Sequence, residues 1–251
     1  MIKVENVTKS FAGVPVLNDI SVTFEQGKTN LIIGRSGSGK TVLMKCIVGL
    51  HEVDTGSVLF NDRNFVTMNF MERKDLRKEM GMLFQGGALF DSLSVEENVI
   101  FPLNMFSSLG QEEKRERANI CLERVNLKNV NNLFPGELSG GMKKRVAIAR
   151  AIVQNPRYLF CDEPNSGLDP KTALVIDDLI SEITHEFNIT TIVNTHDMNS
   201  VMEIGEKVVF IHQGNKCWEG SNEDVLDSND NDLNDFVFAS NFAKKLKNRA
   251  N

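Results

Sequence analysis

The chain has 251 residues, 41% of them hydrophobic and 25% charged, with a formal net charge of -6. That length supports a sizeable core in one large domain or two small ones, and the negative balance argues against a global electrostatic grip on nucleic acid. Cys46, Cys121, Cys161 and Cys217 are widely spaced and form no CxxC pair. No zinc site or redox pair is suggested, and all four are expected as buried, reduced thiols.

The opening MIKVENVTKSF has no apolar h-region and no small-residue cleavage site. No apolar run approaches the roughly 18 to 20 residues that cross a bilayer, so a membrane role is expected to act through a partner. IKVENVTKSF and VLNDISVTF alternate with period two around Ala12-Gly13, which predicts antiparallel strands. TNLIIG is a short apolar strand running into GRSGSGKT, and TVLMKCIVGL has helical periodicity ending at Gly49. SVLFN returns to strand pattern. After MGMLFQ, the stretch from about Leu93 to Pro156 is mostly helical. YLFCDEP predicts a strand, ALVIDDLISEITHEF a helix, TTIVNTHD a strand, and KVVFIHQG with KCWEGS a hairpin. Alternating strands and helices indicate an α/β core with a mainly parallel sheet, and the helical middle reads as an inserted subdomain. From Asp227 the chain turns acidic and polar, then reads as a short amphipathic helix. Its apolar stripe of Phe236, Phe238, Phe242 and Leu246 lies beside Lys244, Lys245 and Lys247. It packs on a neighbouring subunit, touches a membrane surface, or folds back on its own domain.

Gly34-Arg35-Ser36-Gly37-Ser38-Gly39-Lys40-Thr41 fits G-x-x-x-x-G-K-[ST] in full, after a strand and opening a helix. The glycines let backbone amides turn toward phosphate oxygens, and the helix dipole points at the same spot. Lys40 is placed to reach the β- and γ-phosphates, and Thr41 offers a hydroxyl to Mg²⁺. YLFCDE ends in two carboxylates whose side chains diverge at the strand end. Asp162 suits a Mg²⁺ ligand, through water, and Glu163 suits a base that polarises the attacking water; the bland alternative is a solvated pair closing a strand. His196 closes another apolar strand, where functional groups collect in open α/β sheets, or it is structural. Gln85 either spans water and metal or is a plain polar strand cap.

LSGGMKKR at 138–145 is a second anion-binding candidate. Ser139 is a good N-cap, and Gly140 and Gly141 leave the first amides of the helix MKKRVAIARAIVQ exposed. Lys143 and Lys144 sit in the first turn, where cations oppose the dipole. That fits a docking polyanion or, more simply, a basic solvated face.

The phosphate loop, Gln85, LSGGM, the apolar run ending in Asp162-Glu163, Ser166-Gly167-Leu168-Asp169 and His196 resemble ATP-binding cassette (ABC) ATPases in order and spacing. The resemblance covers about residues 1–227. It implies a P-loop NTPase core (a RecA-like, mainly parallel sheet, residues 1–84 and 155–227) with an N-terminal antiparallel β subdomain. The α-helical signature subdomain is inserted at about 85–154, and 228–251 form a C-terminal linker and helix. It implies an ATPase using ATP and Mg²⁺, with Glu163, His196 and Gln85 at the chemistry and Thr41, Gln85 and Asp162 holding the metal. It also implies a head-to-tail homodimer, so that one chain carries two phosphate sites because it supplies half of each of two catalytic sites. Ser139, Gly140 and Gly141 would act on the partner's ATP, and Asp169 would lie in the loop used across the interface. Phe11 matches the aromatic that stacks on adenine, with Val16 nearby; both are otherwise plain core residues. Met142 stands where the family usually has Gln, and Asn165 where Thr is common; both departures look tolerable.

QGGALFDSLSVEENVIFPL at 85–103 lies where such ATPases meet a transmembrane partner. Leu89, Phe90 and Leu93 form a docking surface or fill the helical subdomain's core. GALFDSL, with ENV and FPL behind it, resembles the Mla-type group of phospholipid transporters. That implies an integral membrane permease, an MCE-domain lipid-binding partner, no nucleic acid, and a peripheral place on the cytoplasmic side of the inner membrane. The alternatives are transport of another substrate, or a non-pumping ATPase that regulates a membrane partner.

Overall fold

The computed structural model describes residues 1–238. Of the tail residues singled out in the sequence, Phe242, Lys244, Lys245, Leu246 and Lys247 lie outside them.

The chain begins with β1 (Ile2–Phe11), β2 (Val14–Phe24) and β3 (Thr29–Ile33), then α1 (Lys40–Ile47), β4 (Thr55–Phe60) and β5 (Arg63–Asn64). A helix α2 (Phe70–Arg77) precedes β6 (Met80–Leu83), followed by α3 (Val95–Phe106), α4 (Gln111–Arg124) and α5 (Gly140–Ile152). Then come β7 (Tyr158–Asp162), α6 (Pro170–Glu186), β8 (Thr190–Thr195), α7 (Met198–Ile204), β9 (Lys207–His212), β10 (Asn215–Gly220), α8 (Asn222–Asp227) and α9 (Asn231–Val237). The described residues form two compact units: residues 1–25, 29–67 and 194–238, and residues 26–28 with 68–193.

In the first unit, β2-β1-β4-β5 form an antiparallel sheet, as the alternating sequence requires. Ile2, Val4 and Val7 of β1 face the core with Leu17, Ile20 and Phe24 of β2. The pairing is interrupted near Asn6, which is left-handed at φ 50°. There Gly56 passes so closely that a Cβ on it would lie 2.4 Å from the Asn6 carbonyl oxygen. A second set runs β10-β9-β3, with β9 parallel to β3 and antiparallel to β10. All five residues of β3 are buried, which is what a strand covered on both faces demands. The tail folds back on its own chain as far as it is described: Phe236 of α9 packs on Phe210 of β9, ring centroids 5.5 Å apart.

In the second unit β6 runs parallel to β7, and α3, α4 and α5 pack together. The helix α5 lies hard against β6: a Cβ at Gly81 would come within 2.2 Å of the Ala151 carbonyl oxygen. Ser94 starts α3 with a capping box, its hydroxyl accepting from Glu97 N while the Glu97 carboxylate accepts from Ser94 N.

Cys46, Cys121 and Cys161 are buried free thiols, and burial pushes Cys46 and Cys121 up to about 11. Cys217 departs from expectation. It is exposed, because it lies on the outward-facing row of β10, which ends its strand order.

Candidate functional site

The first unit carries the phosphate loop. Its conformation depends on glycine: Gly34, Gly37 and Gly39 have φ of 150°, 79° and 108°. A Cβ at Gly34 would fall 2.2 Å from the Ile211 carbonyl oxygen and 2.8 Å from Ser38 Oγ. The turn Gln213-Gly214 (φ 48° and 77°) backs the loop, and Gly214 N donates to the Ser38 carbonyl at 3.0 Å. Arg35, Ser36 and Gly37 are exposed at the tip, whereas Ser38 and Gly39 are buried and Thr41 half-buried. The helix α1 starts at Gly39 without a side-chain cap and has no acidic residue in its first turn, so its N-terminal amides and dipole favour an anion. Lys40 is 5% exposed and donates from Nζ to the carbonyls of Gly34 (2.7 Å) and Arg35 (3.1 Å). Ser38 Oγ is buried without a hydrogen-bond partner. A cradle of left-handed glycines, an uncapped helix start, a buried cation and an orphaned hydroxyl fits a nucleotide's phosphates.

Phe11 is not a core residue. It is 41% exposed, edge-on to His51 at 5.2 Å, with Lys9 Nζ 5.3 Å from its ring centroid. Val16 is half-buried, and its carbonyl oxygen sits 3.1 Å from where a Cβ of Gly39 would be. His196 is exposed just beyond β8. Its flanks are fixed: Thr195 Oγ1 accepts from Asp197 N, and the Asp197 carboxylate accepts from Asn199 N to cap α7.

The second unit carries the carboxylates, Gln85 and the signature loop. Asp162 ends β7 and is buried. Glu163 steps off the strand in a left-handed conformation, φ 47°. For a residue with a Cβ that is a cost of about 1–3 kcal/mol, of the kind found where geometry serves chemistry. It turns the Glu163 side chain toward Gln85, whose Nε2 donates to Glu163 Oε2 at 2.8 Å. Gln85, just beyond the end of β6, thus engages the Glu163 carboxylate through its amide nitrogen. Among the described residues no group of three or more His, Cys, Asp and Glu side chains is placed to hold a metal. Thr41 on the first unit and Gln85 and Asp162 on the second each carry an oxygen donor of the kind Mg²⁺ takes alongside waters and substrate phosphates.

The signature helix begins earlier than expected. The helix α5 includes Gly140 and Gly141, with Ser139 as N-cap accepting from Met142 N at 3.3 Å. Ser139 and Gly140 are exposed. A Cβ at Gly141 would meet Thr172 Cγ2 at 2.7 Å, so a side chain there would require that methyl to move. Asp169 N-caps α6, accepting from Thr172 N (3.1 Å) and Thr172 Oγ1 (2.6 Å), and these bonds hold its carboxyl below the usual range.

Lys144 corrects the picture of two surface lysines awaiting a polyanion. It is 5% exposed and turned inward, donating from Nζ to the Gln85 carbonyl and, at 3.4 Å, to the Glu163 carbonyl. Burial lowers its pKa, while Cys161, Glu163 and Asp162 draw it back up. Arg150, also buried, donates to the carbonyls of Gly87 (2.7 Å) and Ala88 (2.8 Å). Asn98 closes the next segment, accepting from Phe90 N and donating to the carbonyls of Phe90, Leu93 and Ser94. Sequence reasoning missed Asn98 and Arg150 and read Lys144 as a surface cation. The signal was the spacing: Lys144, Ala147, Ile148 and Ala151 recur at helical intervals, so Lys144 sits on the buried stripe. In the segment they hold, Phe90 is 43% exposed and leans on Phe101 at 4.6 Å, while Leu89 and Leu93 are half-buried.

Residues 17–166 match the family model described as ABC transporter. The chain is 40% identical over 226 residues to the methionine import ATP-binding protein MetN of Clostridioides difficile, covering 90% of this chain and 70% of that one. A dimeric post-hydrolysis structure of the ATP-binding cassette MJ0796 bound to ADP and Pi superposes with TM-score 0.81 at 32% identity, covering 88% of this chain and 98% of that one. A structure of cbiO1 from Clostridium perfringens, part of the ABC transporter complex cbiONQ, matches with TM-score 0.84 at 27% identity over 98% of both chains.

Proposed function

Because the chain belongs to the ABC transporter family and is an ATPase that uses ATP with Mg²⁺, we propose which residues carry the reaction and what it drives. Glu163 is the general base. The observation that carries this reading is its carboxylate, set beside Asp162 at the end of β7 and held by Gln85 at 2.8 Å. The carboxylate accepts the proton of the attacking water. Gln85 fixes its direction, and His196 contacts the γ-phosphate. Gly34 to Thr41 bind the phosphates through backbone amides and Lys40, and Phe11 with Val16 receives the adenine. When bound, Mg²⁺ neutralises charge building on the phosphates; Thr41, Gln85 and Asp162 would hold it. Ser139, Gly140 and Gly141 serve the ATP of a second copy in a head-to-tail homodimer, and Asp169 lies at that interface. No helix among the described residues is long and apolar enough to cross a membrane. The subunit works as a peripheral partner of an integral membrane permease, on the cytoplasmic side.

For the cargo, 40% identity to a methionine importer supports import of a small amino-acid-like substrate. This relative lends the Mla-type expectation, and with it phospholipid cargo and an MCE-domain partner, no support. That second reading rests on GALFDSL with ENV and FPL behind it, where the exposed Phe90 ring leans on the half-buried Phe101.

Glu163→Gln tests the core of the proposal. It is expected to bind ATP, lower turnover by about 100-fold or more and accumulate as a closed dimer, read by steady-state phosphate release and size-exclusion chromatography. Turnover near wild type would remove Glu163 as the base. Purifying that variant from native membranes with ATP and Mg²⁺ identifies the permease that comes with it, and thereby separates the two cargoes.

A further inference from the structure

We propose that Lys144 is a positioning residue for ATP hydrolysis, tying the backbone of Gln85 to that of Glu163 from inside the helix that begins at the signature loop. This rests on the reading of Glu163 as base. Gln85 and Glu163 are 78 positions apart and are joined twice. Their side chains meet at Gln85 Nε2 and Glu163 Oε2, 2.8 Å apart. Their main chains meet at one ammonium, Lys144 Nζ, which donates to both carbonyls. The result is a closed circuit: Gln85 side chain, Glu163 side chain, Glu163 carbonyl, Lys144, Gln85 carbonyl.

The circuit matters because Glu163 is left-handed at φ 47°. That conformation is sparsely populated and persists only where its surroundings hold it; locally Ser166 N donates to the Glu163 carbonyl at 3.2 Å, and Lys144 adds a second donor to that oxygen from another helix. Anchoring the residue at its carbonyl and at its carboxylate leaves little freedom between. A lysine is a costly way to fill buried space. Its aliphatic stem offers nothing that leucine or methionine lacks, and its charge resists desolvation. What it adds is three N–H donors on one atom, reaching two segments at once. Arg150, further along α5, braces Gly87 and Ala88 but touches neither member of the pair. Lys144 lies five positions after Ser139 in the same helix, so a shift of the signature loop is passed to the base through one side chain.

The test uses the full chain. Lys144→Met keeps the length and removes the ammonium; Lys144→Gln keeps an N–H donor. Steady-state ATP turnover, equilibrium ATP binding and thermal melting are measured for both, beside Glu163→Gln. Lys144→Met is expected to lose about tenfold to a hundredfold in kcat, as a displaced catalytic group does, with KM and ATP affinity within about twofold. Lys144→Gln is expected to recover part of the loss. A cooperatively folding Lys144→Met with kcat within twofold of wild type, or with a raised KM and unchanged kcat, overturns the proposal. If Lys144→Met does not fold, Lys144→Gln decides by the same criteria: a fall in kcat at constant KM supports the proposal and unchanged kcat overturns it. Loss of turnover in Glu163→Gln with normal Lys144 variants removes the strut alone; turnover retained in Glu163→Gln removes the base reading beneath it.

Discussion

The phosphate loop and the Gln85–Glu163 pair both place a bent backbone beside a buried lysine, and they are built by opposite means. In the loop the bend is local. Three glycines within six residues adopt left-handed angles, and Lys40 closes the turn by bonding carbonyls five and six positions back. In the pair the bend falls on Glu163, which has a Cβ to accommodate, and the support comes from Lys144 of α5. The loop is shaped by what its residues lack, and the pair by what distant residues supply. Substitutions should therefore fail differently in the two places.

Gly34→Ala is expected to have the largest effect, because the added methyl meets the Ile211 carbonyl at 2.2 Å and φ 150° excludes an L side chain. ATP affinity is expected to fall by about 100-fold or more, as each misplaced amide forfeits a charge-assisted bond, and the buried clash with backbone also lowers the melting temperature; calorimetric titration and a thermal scan check both. Arg150→Met acts the other way. It removes the donor to the buried Gly87 carbonyl and the more exposed Ala88 carbonyl and is expected to cost about 2 kcal/mol of stability, read from denaturant midpoints, with ATP affinity spared. Asn98→Leu opens the next segment for about 2 kcal/mol, and hydrogen exchange at the Phe90 amide should accelerate by more than at any loop glycine. The smallest effect belongs to Asp169→Asn. The native carboxyl has a depressed pKa, so its stabilisation is present above the ordinary carboxylate range and is lost as pH falls through the depressed value. The asparagine still caps α6, and its melting temperature should lose that acid-range dependence, lying slightly below wild type near neutrality and meeting it at acid pH, where the native carboxyl is protonated.

The same contrast explains what the sequence made legible. The phosphate loop was readable in full because a run of eight residues contains its own geometry, and the strands β3 and β7 were readable because burial on both faces leaves an apolar run. The Asp162-Glu163 pair was visible as residue types, yet the turn that directs Glu163 toward Gln85 was not, since a left-handed glutamate leaves no trace in composition. Lys144 was read as a surface cation because charge outweighed periodicity in that reading; the helical spacing with Ala147, Ile148 and Ala151 pointed inward. Cys217 was misplaced for a related reason: its strand alternates, and the outward row was not assigned before its neighbours were known. The cargo was least legible, because motifs for ATP say nothing of what is carried.

Lys40 carries a consequence for the commonest way of disabling such a site. Its ammonium is already engaged with the carbonyls of Gly34 and Arg35. On the proposed reading, arrival of a triphosphate would exchange these neutral acceptors for charged ones, so that ATP affinity would be the difference between two bonded states. Replacing the lysine removes both sides of that exchange. A Lys40→Met protein has lost the internal tie of its loop as well as the charge that meets the nucleotide, so an inactive phenotype there reports on loop order and charge together. Arginine or ornithine-like replacements, which keep a cation but change its reach, are what separate the two.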